Sequence, residues 1–535
     1  MSAPLWITAT PPAPHGELHI GHLAGPYVAA DVLRRFLRAD GQDVLLTTGT
    51  ADHSGSVALR ALRQGRKPAE VAEGYREAIT ADWQRCGVEF DHVVAPRSGT
   101  GYRPWVQETF RALYAEGLIA GRARLLPYCE PCGQWLHGAH VTGECPHCGA
   151  ACGGGHCRAC ARPNDGADLT APTCAVCGAA AAPRRCRRLY LALEPLREEL
   201  ADHWRAAALP PRLAALCRAL LDDGLPELAV SHPGEWGTPV PVDAFADHRI
   251  DARFEEAAIT LYGGGLAGPD EDVLPRRTAH FGGFGHAFVQ AVLLPALLLA
   301  RGVKLPQDFF VNETFRRYDE DEHPHPPGGP GRRPEVWALD LLTEFGSDTL
   351  RRYVLAARPL ARGTGFRRED LVGARRVLDG TWNAWTARLL AAVRERHAGL
   401  VPEAAPGGTG WDVLHRRLVR AAEDLREAYA PDSFDPRRAV ALLDEVLCAT
   451  ADFGHVNDAV HDTVDGGADD GAALVAQLAV AGALTAWARP VMPEGADRLA
   501  ASLRLPKGRP VDASALAAPA PGTRLAPPSG PVFGF

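Results

Sequence analysis

The sequence predicts an α/β protein with a doubly wound parallel sheet, a cysteine-rich insertion and an all-α helical bundle at its C-terminal end. Three observations predict this. Short apolar runs alternate with helical stretches over the first hundred or so residues. Cysteines then arrive as four Cys-x-x-Cys pairs in one interval, Cys129 to Cys177. From Gly373 to about Leu505, apolar residues recur at three-to-four spacing with charges between them.

The first element is Leu5-Trp6-Ile7-Thr8-Ala9-Thr10, an apolar run that reads as a strand. Pro11-Pro12-Ala13-Pro14-His15-Gly16 breaks it, and Leu23 to Arg38 reads as a helix. His19-Ile20-Gly21-His22 sits at the helix start. Free backbone N–H groups and the positive helix end make that place an anion site. Two imidazoles there can donate to a phosphate whose charge grows during reaction. Gly21 leaves room for a ligand against the backbone. Taken alone, two histidines three apart also fit a surface pair or half a metal site. The strand before and the helix after favour the anion site.

Val44 to Thr50 reads as the second strand and runs into Ala51-Asp52-His53. Pro68 to Gly87 reads as an amphipathic helix. Together these form the first half of an open, Rossmann-type sheet, whose ligand crevice lies at the carboxyl ends of the strands.

The pairs Cys129/Cys132, Cys145/Cys148, Cys157/Cys160 and Cys174/Cys177 supply eight thiolates. That is enough for two tetrahedral zinc sites of four cysteines each. Full thiolate coordination leaves no open position, so the expected ions are structural and fold an insertion with little core of its own. Cys152 and Cys186 are spare.

The sheet resumes with Ala229-Val230-Ser231-His232 and Phe254 to Ile259, then His280-Phe281-Gly282-Gly283-Phe284-Gly285-His286. Phe309 to Asn312 reads as its last strand. Arg316 to Pro334 is a polar loop rich in proline and glycine that cannot form a helix or a central strand. Arg316, Arg317, Arg332 and Arg333 flank it. The expected organisation is a split catalytic domain (1–115 and 226–315), a zinc-binding insertion (116–225), a loop and stem region (316–372), a helical bundle (373–505) and a Pro/Ala-rich tail (506–535).

Composition sets the remaining bounds. At 535 residues the chain exceeds one core. Hydrophobic content of 46% and charged content of 23% are those of a soluble globular protein. No run is long enough to span a bilayer and no signal-peptide pattern is present, so a cytoplasmic location without membrane contact is expected. The thirteen cysteines then point to metal rather than disulfides. Net charge −8 argues against a broad non-specific nucleic-acid surface, while a local basic groove can coexist with it. Lysine is nearly absent, standing only at Lys67, Lys304 and Lys507.

His19-Ile20-Gly21-His22, with Gly16 before it, Ala30-Asp31 after it and the paired cysteines, resembles the methionyl branch of the class I aminoacyl-tRNA synthetases. The likeness covers most of residues 5 to 395. It implies an ATP-dependent ligase that activates the carboxylate of an amino acid, with Mg on the nucleotide. It implies catalytic roles for His19 and His22 and an ATP site of Thr8, Thr10, His19, Gly21, His22 and Gly283. The implied amino-acid pocket is Pro11, Ala13, Asp52, Phe254, Ala257, Ile259 and Gln290. The implied zinc pairing is nested, with Cys145, Cys148, Cys157 and Cys160 inside Cys129, Cys132, Cys174 and Cys177. It also implies tRNA as partner.

The chain departs from the family pattern at several of these places. Ala13 and Phe254 stand where the family has Tyr and Trp. Asp52 lies one place later, relative to His53, than the family acid. His232 replaces an Arg, Phe284-Gly285 replaces a Lys-Asp pair, and Gln290 falls on the pocket His. The mobile Lys-Met-Ser-Lys-Ser loop registers over Pro327-Gly328-Gly329-Pro330-Gly331, without lysine. The anticodon-reading Pro-Trp is missing after Asn457. These departures favour a specialised paralogue whose acceptor is a small amine or hydroxyl of secondary metabolism rather than tRNA, working beside a partner enzyme of that pathway. Ordinary tRNA aminoacylation and a non-catalytic binding protein are the other two readings.

Overall fold

The computed structural model describes residues 4–265, 277–303, 307–317, 336–360, 362–463 and 470–534. Five parallel strands form the central sheet, in the order Gln307–Asn312, Arg277–Gly283, Leu5–Ala9, Val44–Gly49 and His92–Val94. The first strand is central. All five of its residues are buried, as an apolar run covered on both faces requires. The chain leaves it towards one edge and later returns on its other side. The strand order therefore reverses between Leu5–Ala9 and Arg277–Gly283, and an open sheet places its ligand crevice at that point.

The helix after the first strand is not continuous. Ile20–His22 is a first turn, Leu23–Tyr27 is a wider π-type turn holding Pro26, and Val28–Ala39 is regular helix. Pro26 has no N–H to continue the ladder, which explains the wider turn. The carbonyls of Ala24 and Gly25 instead accept from the buried Arg358 guanidinium. Pro68–Arg85 forms the helix expected there, with Pro68 at its first turn.

Between the third and fourth sheet strands stands a second, antiparallel layer. Ile119–Cys129 pairs along its length with Ala182–Ala192, flanked by Glu227–Ala229 and Gln134–Trp135. The ribbon's far end carries both cysteine clusters and a three-stranded sheet of Ala151–Gly153, Val141–Glu144 and Thr170–Cys174.

Between residues 368 and 503 the described chain is mainly helical, with Ala384–Arg396, Trp411–Tyr429, Pro436–Thr463, Asp470–Trp487 and Pro493–Leu503 as its long members. The proline-rich tail is packed down. Phe533 is fully buried edge-on against Trp382, and its backbone exchanges hydrogen bonds with the Asn383 amide. Among the described residues no helix is long and apolar enough to cross a membrane.

Candidate functional site

The crevice floor is stitched across the two central strands. Thr10 donates its backbone N–H to the Phe281 carbonyl at 3.0 Å, and the Tyr27 hydroxyl donates to the Thr10 carbonyl at 3.1 Å. The Gln290 amide donates to the Thr10 hydroxyl and to the Phe281 carbonyl. Its own carbonyl oxygen is buried without a partner. Gly282 makes this possible, because a Cβ there would stand 2.1 Å from that oxygen. Gly283 caps the short turn Phe284–His286 that follows.

His19 and His22 stand beside this floor with their rings stacked, centroids 3.8 Å apart. Each is oriented by the backbone. Gly21 donates its N–H to His19 Nδ1 at 3.1 Å, and His19 donates its N–H to His22 Nδ1 at 3.2 Å. A ring whose Nδ1 accepts carries its proton on Nε2 when neutral. Both rings therefore present an Nε2–H donor. Burial, then the neighbouring His19, hold the His22 pKa well below the ordinary value, so it donates as a neutral imidazole. Gly21 is needed for close approach, since a Cβ would stand 2.9 Å from the His19 ring. The segment after the loop closes over this turn: Ile20 donates to the Val336 carbonyl at 3.1 Å, and Ala338 to that of Leu18 at 2.8 Å.

The remaining expected site residues fall into two groups. Thr10 and Gln290 meet on the floor, Gly283 follows it at the end of the same strand, and Gly21 lies against His19; Pro11 and Ala13 belong to the turn that leaves the first strand. The Ala51 N–H, donated to the Pro12 carbonyl at 2.9 Å, draws the Asp52 loop to the same place. Asp52 is fully buried, and neither carboxylate oxygen has a hydrogen-bond partner. Burial pushes its pKa up, against the pull of Arg76, whose Nη1 lies 3.7 Å away. By contrast, Thr8 is enclosed in the sheet, 2.7 Å from His280 Nδ1. Phe254 is fully buried edge-on against Phe110, and Ala257 and Ile259 are buried on the same helix. Arg316 and Arg317 fall on the strand Phe315–Arg317, which pairs with Thr364–Phe366. Pro327 to Gly331, Arg332 and Arg333 lie outside the described residues.

Sequence reasoning missed a further group on the opposite wall. Glu256 Oε1 lies 3.4 Å from His286 Nδ1, and the His286 ring meets His156 edge-on at 5.1 Å. These residues come from three separate segments, so no spacing pattern announces them. His232 is buried and stacked on His137 at 3.8 Å; burial pushes its pKa down to about 4, so it brings no charge.

The cysteines fall into the two nested groups. Ligand sulfurs of Cys129, Cys132, Cys174 and Cys177 lie within 4.8 Å of one another, as do those of Cys145, Cys148, Cys157 and Cys160. Sulfur–sulfur separations of 3.5 and 3.9 Å in the first group and 3.7 and 3.8 Å in the second bracket the roughly 3.8 Å edge of a tetrahedron with 2.3 Å zinc–sulfur bonds. The donor sets fit zinc.

Comparison with known proteins agrees with this geometry. The family model described as tRNA synthetases class I (M) matches residues 5–253. The methionine–tRNA ligase of Thermomicrobium roseum is 29% identical over 460 residues, covering 81% of this chain and 76% of that protein. That of Porphyromonas gingivalis is 32% identical over 66% of this chain, which spans about half (52%) of that relative. Among solved structures, Mycobacterium tuberculosis methionyl-tRNA synthetase in complex with methionyl-adenylate superposes with a TM-score of 0.79 at 20% identity, covering 99% of both chains. In its fold, its paired cysteines and its helix-start histidines, this chain is similar to the methionyl branch of the class I aminoacyl-tRNA synthetases.

Proposed function

We propose that this chain is an ATP-dependent ligase that activates the carboxylate of an amino acid and passes the acyl group to a small amine or hydroxyl rather than to tRNA. The observation that carries the reading is the pair of Nε2–H donors of His19 and His22 beside the crevice. In the activation step a carboxylate oxygen attacks the α-phosphorus of ATP. The bond to the bridging oxygen of the β-phosphate breaks, and pyrophosphate leaves, with Mg on the nucleotide. Charge grows on the phosphate oxygens, and two preorganised imidazole donors meet it there. Asp52 supports an amino-acid substrate, since its buried carboxylate, paired at 3.7 Å with Arg76 but without a hydrogen bond, suits an ammonium group. The zinc ions, when bound, hold the cysteine-rich insertion folded.

The choice of acceptor rests on what the chain lacks. Its three lysines and net charge −8 leave phosphate-backbone binding to arginine alone. Asn457 sits on the helix Pro436–Thr463 and pairs with the backbone of Thr409, with no Pro-Trp after it to stack on an anticodon. The test is twofold. ATP–pyrophosphate exchange is measured across a panel of amino acids, and binding of initiator and elongator methionine tRNA is titrated at near-physiological salt. Exchange without selective tRNA binding supports the reading. Submicromolar selective binding restores ordinary aminoacylation, and absence of exchange with every amino acid favours a non-catalytic role.

A further inference from the structure

We propose that Arg158, carried on the inner cysteine cluster, is the cation that grips the phosphates of ATP in this chain. The inference rests on the ATP-activating reading above and names the group that serves it.

Phosphoryl chemistry needs positive charge, and few uncommitted cations stand near the crevice among the described residues. Lys67 stands exposed at the start of the helix Pro68–Arg85, and Lys507 pairs with Asp497 at 3.1 Å. Lys304 lies outside the described residues. His22 and His232 are held neutral, chiefly by burial. The nearby arginines are committed elsewhere. Arg253 pairs with Asp251 at 2.8 Å and donates to the Gly155 carbonyl at 2.7 Å. Arg212 pairs with Glu313, donates to the Ala159 carbonyl and lies over the Phe284 ring at 3.6 Å. Arg358 is buried among carbonyls.

Arg158 is different. It is exposed, and no hydrogen bond or ion pair engages its guanidinium. Its Cα, Cβ and Cγ each lie 3.5 Å from the Cβ position of Gly285. That places its stem on the turn that follows the Arg277–Gly283 strand, next to His286, where its charge is felt by His22. The placement is enforced from both sides. Arg253 holds Gly155 and Arg212 holds Ala159, so the two residues flanking the His156–Arg158 stretch are tied to the catalytic layer. The inner cluster cysteines Cys157 and Cys160 fix the turn itself. An uncommitted guanidinium on a pinned stem suits bidentate phosphate binding. Glu256 lies 3.4 Å from His286 and engages that imidazole rather than Arg158.

The test uses calorimetric binding of Mg·ATP, inorganic pyrophosphate and AMP to the zinc-loaded protein and to its Arg158→Gln and Arg158→Lys variants. Arg158→Gln is expected to weaken ATP and pyrophosphate about tenfold or more, as loss of a charged hydrogen-bond partner does, with AMP changed little. Arg158→Lys keeps the charge and is expected to fall between. Zinc content and melting temperature equal to the parent's show that the turn is intact. If Arg158→Gln disturbs the turn, the same comparison is read from Arg158→Lys alone. Parent and variant binding pyrophosphate equally would overturn the assignment and leave the ATP reading standing. A parent that binds neither ATP nor pyrophosphate would overturn both.

Discussion

Asp31 and Arg351 meet at 2.7 Å with both side chains fully buried. Asp31 belongs to the helix that begins at His19, and Arg351 also donates to the carbonyls of Pro490 and Val491. One guanidinium thus ties the histidine-bearing helix to the C-terminal helices. Arg35 shares the same carboxylate oxygen at 2.7 Å. The two arginines hold the Asp31 pKa below its ordinary value despite a burial that opposes them. Removing Arg351 leaves the buried Asp31 carboxylate to Arg35 and takes the guanidinium donor from the Pro490 and Val491 carbonyls. Arg351→Met is expected to cost about 3–5 kcal/mol of stability, read from urea unfolding. A loss below about 1 kcal/mol would show that the pair is dispensable.

The buried histidines predict acid lability. Burial pushes the His280 pKa down to about 3 and that of His232 to about 4, and holds that of His137 well below normal. The unfolded chain binds protons at these sites below about pH 6.5 while the folded chain does not. Stability is therefore full above that pH and falls as the pH drops towards the folded values, by about 1.4 kcal/mol per pH unit for each histidine. The urea midpoint should drop steeply between pH 7.5 and 5. Asp31 adds its own loss only below about pH 4. A midpoint that is flat over that range would contradict the neutral-histidine account.

Metal analysis of the purified protein should return about two zinc ions per chain. Cys145→Ser removes one thiolate of a closed site and is expected to lose one ion, with local unfolding of the insertion seen by proteolysis. Protein that arrives without zinc, its cysteines oxidised in pairs, would contradict this.

Methionine is not expected to be the preferred substrate. Ala13 leaves space where the family carries Tyr, and Gln290 is spent on the floor rather than turned to a thioether. A bulkier or more polar amino acid, held at its ammonium by Asp52, should give the fastest exchange. Methionine activation tenfold or more above every other amino acid would refute this pocket reading.

Much of the fold is legible because the period of the apolar pattern is a physical requirement. Leu5–Ala9, Val44–Gly49 and Gln307–Asn312 lie on or within two residues of the runs that predict them. The nested cysteine groups follow from spacing together with the family likeness. The helix read from Leu23 to Arg38 proved to begin with a π-type turn, because Pro26 cannot donate and Arg358 takes the freed carbonyls. What the sequence hides is convergence. Glu256, His286 and Arg158 are separated by more than a hundred residues at their extremes and meet only when the cysteine-rich turn docks on the sheet. Thr8 shows the reverse: a residue next to the motif in sequence is sealed from the crevice by its bond to His280.

The central claim is that His19 and His22 stabilise charge arising in the transition state. ATP–pyrophosphate exchange with the preferred amino acid tests it most directly, comparing the parent with His19→Ala and His22→Ala. Each substitution should lower kcat by roughly a hundredfold or more, as loss of one oxyanion-type donor does, while KM for the amino acid changes little. Turnover equal to the parent's in either variant would contradict the account and place the chemistry elsewhere.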